Sequence, residues 1–267
     1  MQLIQTVAPT AYPVGLAEAK DHLRVDHTEQ DTLITGLIAA ATEAVEVFTG
    51  RQLVAATWQM RLDAFWPGYL WLPHPPLLSI SSIQYVDENG DTQTLSSSTY
   101  DVNVNGLIGQ LYLAYGQSWP TTLGHPNSVI VTYMAGHGAP FTANASTDKL
   151  TLAGRVPADG DCVQLQNVGG EDGALPAGLS ALTNYYMIES SGQTCELSTS
   201  SGGSKVDITD TGTGTHFLGV IPEECRAAIK LLLADLYEHP EAQAEGSLRE
   251  NATIQRLLWN KRVEINF

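Results

Sequence analysis

The chain has 267 residues, 43% of them hydrophobic, with 29 acidic against 13 basic side chains and a formal charge of −16. That composition supports packed cores, argues against wholesale disorder, and at this length favours two modules over one. So large a surplus of carboxylates argues against gripping nucleic acid through its phosphates, which needs Lys and Arg; it suits plain solubility, or a surface that DNA passes without sticking.

No run of apolar residues approaches the ~20 needed to span a bilayer. The opening MQLIQTVAPTAYPV lacks the basic and apolar blocks of a signal peptide, so the expectation is a soluble protein made in the cytosol. Cys162, Cys195 and Cys225 are odd in number and widely spaced, which argues against a disulfide framework or a zinc site. Cys225 reads as a core thiol.

In chain order, a first helix is predicted over Leu16 to Val25. In the second, Leu33, Ile34, Leu37, Ile38, Ala41, Ala44, Val45 and Phe48 recur with helical spacing, opposite Asp31, Thr35, Thr42, Glu43 and Glu46. Thr28 and Asp31 fit a capping box, and Gly50 stands where a helix end needs positive φ. The period then changes. Thr57 to Asp63 alternates as a half-buried strand, and Pro73, Pro75 and Pro76 mark an extended lead-in to a strand over Ile80 to Val86. Asn89-Gly90 signals a hairpin, with the return at Gln93 to Leu95. Tyr100 to Val104, Gln110 to Ala114 and Ser128 to Met134 read as further strands.

From Ala139 to Leu218 Ser, Thr, Gly and Asp dominate, and the β-like runs KLTL, CVQL, NYYMI, CELS and KVDI recur between turns. Helical logic returns with Pro222 at the first helical position, Glu223 and Glu224 in the first turn, and a stripe of Cys225, Ile229, Leu232 and Leu236. Pro240 should end that helix. A shorter one is expected over about Thr253 to Asn260, before the tail RVEINF.

Signs of catalysis are lacking. The seven histidines show no metalloprotease pattern and no nucleophile elbow, and read as scattered surface residues. The glycines of VGGEDG and GTGTH lack the strand-then-helix setting of a phosphate loop, and Asp207 to Asp210 lacks an EF-hand signature. No catalytic residue, metal site or cofactor is assigned. Tryptophans are better candidates for function: Trp66, Trp71, Trp119 and Trp259 as interface anchors, with Trp58 as core filler. For Trp259, beside Lys261 and Arg262, interface and core filling stand level.

The wording of several segments resembles the head–tail connector (adaptor) family of tailed bacteriophages. LAEAKDHLR at residues 16–24 and a helix ending in Thr-Gly-Arg carry the resemblance first. LPHPPL, ISSIQYVD and YMAG then follow in the family's order, and IPEECRAAIKLLLADLYE and LLWNKR match its closing segments. Where the family has a basic residue at the end of the first of these, this chain has His239-Pro240. Removing 139–218 would join AGHG to VIPEECRAAI as in shorter members, so the segment reads as an inserted β-domain, similar to a module recurring in phage tail and neck proteins.

The resemblance implies an α+β fold: a helical bundle from both chain ends with a β-sheet region (1–138 and 219–267) and an inserted all-β domain (139–218). It implies a structural protein of the virion neck, made in the host cytoplasm, forming a homo-oligomeric ring of about twelve subunits under the portal. The ring would extend the DNA channel, without tight DNA binding, and meet a downstream neck or tail protein. Candidate portal-binding residues are Leu257, Leu258, Trp259, Lys261, Arg262 and Phe267. Leu23, Leu33, Leu37, Val45 and Phe48 are candidates for the helix-pair core or ring interface. The competing reading is a carbohydrate- or cell-surface-binding virion module; a glycosidase is a weaker third.

Overall fold

The computed structural model describes residues 1–104, 106–153, 158–168, 172–181, 183–239 and 252–263. By compactness the chain forms two units. One comprises Met1–Pro9 and Ala55–Gly136; the other comprises Thr10–Val54 and the described residues from His137 onward to Val263.

The first unit is all β: β1 (Gln2–Val7), β2 (Ala56–Leu62), β3 (Tyr69–Leu72), β4 (Leu77–Val86), β5 (Thr92–Thr94), β6 (Tyr100–Asn103), β7 (Gly109–Leu113) and β8 (Val129–Ala135). Five strands form an antiparallel sheet in the order β1-β2-β8-β4-β5, and three form a second, β3-β7-β6. Met60, Ile83, Leu111, Val131 and Tyr133 fill the core, and the Tyr133 hydroxyl donates to the Pro73 carbonyl at 3.1 Å. The Asn89-Gly90 hairpin forms: Asp87 Oδ1 accepts from the amides of Asn89 and Asp91, and Gly90 has φ 89°. Trp58 stacks on His74 at 4.1 Å. Trp66 and Trp119 are not free anchors. They pack with each other and with Phe65, whose ring stacks on that of Trp119 at 4.9 Å.

The second unit carries α1 (Leu16–Leu23), α2 (Asp31–Thr49), α3 (Glu223–Glu238) and α4 (Ala252–Leu258). Helices from both chain ends share one core, including Ala19, Ile34, Ile38, Val45, Leu53, Cys225, Ile229, Leu233, Ile254 and Leu258. α1 ends at Leu23 rather than Val25, because Arg24 is left-handed (φ 57°) and the Val25 amide folds back to the Lys20 carbonyl. The capping box is absent. Gln30 occupies the cap position without a side-chain bond, and Asp31 instead pairs with Lys20 at 2.7 Å. Pro222 is the cap of α3, not its first residue, and the buried stripe is rotated: Leu233 is inside and Leu236 outside. On α2, Leu33 and Ala44 are exposed, whereas Thr42, expected on the outer side, is buried with its hydroxyl bonded to the Ile38 carbonyl. By length and composition α2 could cross a bilayer, although it contains no unbroken apolar run of that length; here its inner face packs in the core.

The same unit contains β9 (Ala139–Asn144), β10 (Lys149–Leu152), β11 (Cys162–Val163), β12 (Leu165–Asn167), β13 (Tyr185–Ser191), β14 (Thr194–Ser198) and β15 (His216–Leu218). They form one sheet in the order β11-β13-β14-β10-β9-β15-β12, a nearly closed barrel whose two edge strands are separated in the chain only by Gln164. The ends of segment 139–218 pair with each other, Ala139 opposite Leu218 and Phe141 opposite His216. KVDI forms no strand, only a bridge from Lys205 to Ser198. Phe217 and Val168 belong to the helical core, and a Cβ on Gly15 would stand 2.2 Å from the Val168 carbonyl oxygen.

Charge locks the helices. Glu18 of α1 accepts from Arg226 at 2.6 Å and from Lys230 at 2.9 Å, both on α3. Arg226 is buried; it also pairs with Glu223 and donates from Nε to the Pro13 carbonyl at 3.1 Å. Removing one member of such a pair strands the other charge. Glu18→Ala should lower unfolding free energy by about 3 kcal/mol in urea denaturation; a loss within error would show that the network adds nothing to stability.

Candidate functional site

The site grows out of the end of α2. Thr49 ends the helix, Gly50 takes φ 65°, and a Cβ there would lie 2.4 Å from the Val263 carbonyl oxygen, so Gly50 serves both the turn and the close approach. The amide of Val263 donates to the Thr49 carbonyl at 2.8 Å, and Arg51 Nε donates to the Lys261 carbonyl at 2.5 Å. Thus the Thr-Gly-Arg turn holds the C-terminal segment by its backbone. Gln52 and the Leu53 amide both donate to Glu46 Oε1 at 2.8 Å, and the Leu53 carbonyl receives the amides of His137 and Gly138.

The predicted portal-binding residues divide. Leu258 is fully buried in the helical core with Ile254, and Leu257 is half-buried, so α4 has more core to fill than its length suggested. Lys261 is half-buried and pairs with Glu224 at 3.2 Å. Trp259 is 64% exposed, and Arg262 is exposed, its guanidinium 5.7 Å from the Phe48 ring centre and 5.9 Å from that of Trp259. Phe267 lies outside the described residues. Val47, Phe48, Gly50, Gln255, Trp259, Arg262 and Val263 line a groove of about 510 Å³ here. Of the second set, Val45 is fully buried, Leu23, Leu37 and Phe48 pack partly buried against the core, and Leu33 is 54% exposed.

Trp259 therefore leaves much of its indole at the surface of this groove, with the Arg262 guanidinium near its ring and that of Phe48. The groove carries no reactive pair. Among the described residues no cluster of three His, Cys, Asp or Glu could hold a metal ion. Three histidines depart from the surface expectation. His74 stacks on Trp58, His216 is buried between Asn167 and the Thr211 carbonyl, and His137 has a buried Nε2 without a hydrogen-bond partner.

Two buried groups beside the turn titrate oddly. Burial pushes Glu46 up to about 7, with the charge of Glu43 adding to the effect. Burial pushes His137 down to about 4, helped by the charges of Arg51 and Lys261. Glu46, Arg51 and Val47 were not singled out as site residues by sequence reasoning; the Thr-Gly-Arg wording was the available signal.

Residues 14–103 match the model of the phage gp6-like head-tail connector protein. No curated protein matches the chain. Among solved structures, a chain in the neck of an empty gene transfer agent particle, computed with C6 symmetry, is similar at TM-score 0.58 and 17% identity. A chain in the virion of the native gene transfer agent particle gives 0.57 and 17%, and one in the native neck computed with C12 symmetry gives 0.54 and 16%. Each similarity covers 100% of this chain and 98% of the other, so the whole fold is shared.

The Glu46 titration has a measurable sign. Its folded pKa lies above the ordinary 4.5, so the folded state binds more protons between pH 4.5 and 7 and stability falls as pH rises through that window. His137 acts oppositely between about 4 and 6.5, where the unfolded chain takes the proton. Glu46→Gln keeps the acceptor oxygen and removes the ionisation. Its stability relative to wild type should climb from pH 4.5 to 7 by up to about 3 kcal/mol. Urea midpoints across that range measure it; a constant difference would refute it.

Proposed function

We propose that the protein forms a closed ring of identical subunits in the neck of a phage-like particle, joining the capsid's portal to the next neck or tail component, with DNA passing through the ring. The observation that carries this is the likeness in fold, over the whole chain, to neck chains of gene transfer agent particles solved with C6 and C12 symmetry. The family match over 14–103 supports it independently. A closed ring needs two different surfaces per subunit, one for each neighbouring copy, and a further one facing the axial partner.

For the axial partner, the portal, the proposed surface is Trp259 with the flanking groove wall of Phe48 and Gln255. Leu258 is left out of this surface because its side chain fills the helical core, and Lys261 because it pairs with Glu224. Segment 139–218 is proposed as a module inserted into the connector framework, an idea favoured by the pairing of its two ends. The formal charge of −16 suits passage of DNA, since each neutralised phosphate would add salt-dependent affinity and retard it.

Two measurements test the proposal. Trp259→Ala should leave the fold intact and weaken co-sedimentation with purified portal protein by about 2 kcal/mol, the effect of losing a buried hot spot; undiminished binding would return the indole to a passive surface. In parallel, duplex DNA should show no tight, salt-sensitive binding to the assembled protein, and a steep salt dependence would contradict the channel.

A further inference from the structure

Helix α2 is apolar on two sides. The inner side, with Ile34, Ile38, Ala41 and Val45, is buried in its own unit. On the outer side Leu33, Gly36, Ala40, Ala44 and Val47 fall on one stripe at helical spacing, and all five are exposed, Val47 at 76%. The helix has three carboxylates and no Lys or Arg. Asp31 is paired with Lys20 and Glu46 is bonded to Leu53, which leaves Glu43 to flank the stripe.

Gly36 supplies a separate observation. It sits in the helix interior, where glycine is less stable than alanine, yet a Cβ built on it meets nothing within 4 Å. Among the described residues nothing requires that position to be bare. Gly36, Ala40 and Ala44 recur every four residues, the spacing that lets the backbone of a second helix come close. Two copies at −16 each repel, so they meet most readily where carboxylates are absent.

We infer that a helix of the neighbouring copy packs against this outer face of α2, over Gly36, Ala40 and Ala44, with Leu33 and Val47 closing the two ends. The inference rests on the ring proposed above. The stripe is about 21 Å long at the helical rise per residue. That is too small for a whole interface of roughly 800 Å² per partner, so it forms the apolar centre of one.

The test compares wild type, Gly36→Leu and Ala44→Glu by sedimentation velocity, alone and with the portal protein, with melting temperature measured for each. Gly36→Leu should melt at or above the wild-type temperature, and both variants should show at least a tenfold smaller ring fraction. Rings undiminished in both variants would overturn the inference while leaving the ring intact. A wild-type chain that stays monomeric in both conditions would remove the ring itself, and the inference with it. A large fall in melting temperature for Gly36→Leu would show that the chain fills this face itself, which also overturns it.

Discussion

The second unit depends on one buried ionic contact. Glu18, near the start of α1, holds Arg226 and Lys230 of α3, more than two hundred residues later in the chain. Arg226 has little access to water, so it is tolerable only because Glu18, Glu223 and the Pro13 carbonyl surround it. With α1 fixed to α3, the Lys20–Asp31 pair fixes α1 to α2, and the apolar faces of the three helices then close on one another. Glu18 and Lys20 are the charged letters of the LAEAK wording, and the two alanines beside them keep α1 slim enough to lie close: Ala19 is fully buried.

Most strands and the four helices among the described residues were legible, because period and punctuation report on whichever face a chain buries. Gly50, the Asn89-Gly90 turn and the start of α3 follow from local chemistry that tertiary contacts do not override. What failed did so for identifiable reasons. β1 is a largely exposed edge strand with a weak alternation, so QLIQTV carries little strand signal. The stripe of α2 was misjudged because the helix is apolar on both sides, and composition alone cannot say which side faces inward. Leu258 and Trp259 are neighbours with similar hydrophobicity, and only the path of α4 sends one into the core and the other into solvent. No local rule places Glu46 under the Gln52–Leu53 turn.

The titrations of Glu46 and His137 show how a turn can be dense with polar groups and still tolerate a range of acidity. Each is displaced by burial toward its neutral form, the acid upward and the base downward. Their proton linkages have opposite signs, so over the shared part of their ranges one offsets the other. Cys225, on the same side of the unit, is likewise pushed up to about 11 and stays a thiol. The junction of α2, α4 and the start of β9 is therefore largely uncharged inside, with Arg51 as its buried cation.

The ladder between β9 and β15 has a consequence for how such a chain can change length. Ala139 and Leu218 face each other as paired residues, a separation of about 5 Å between Cα atoms. A turn of a few residues would bridge that gap as well as the whole barrel does. On the proposed insertion, growth or loss beyond that doorway would change the protein's bulk and leave the helical frame its geometry wherever the segment does not pack into it. Phe217 and Val168 set the conditions. Both side chains lie inside the helical core, so a shortened chain would have to supply apolar groups in their place.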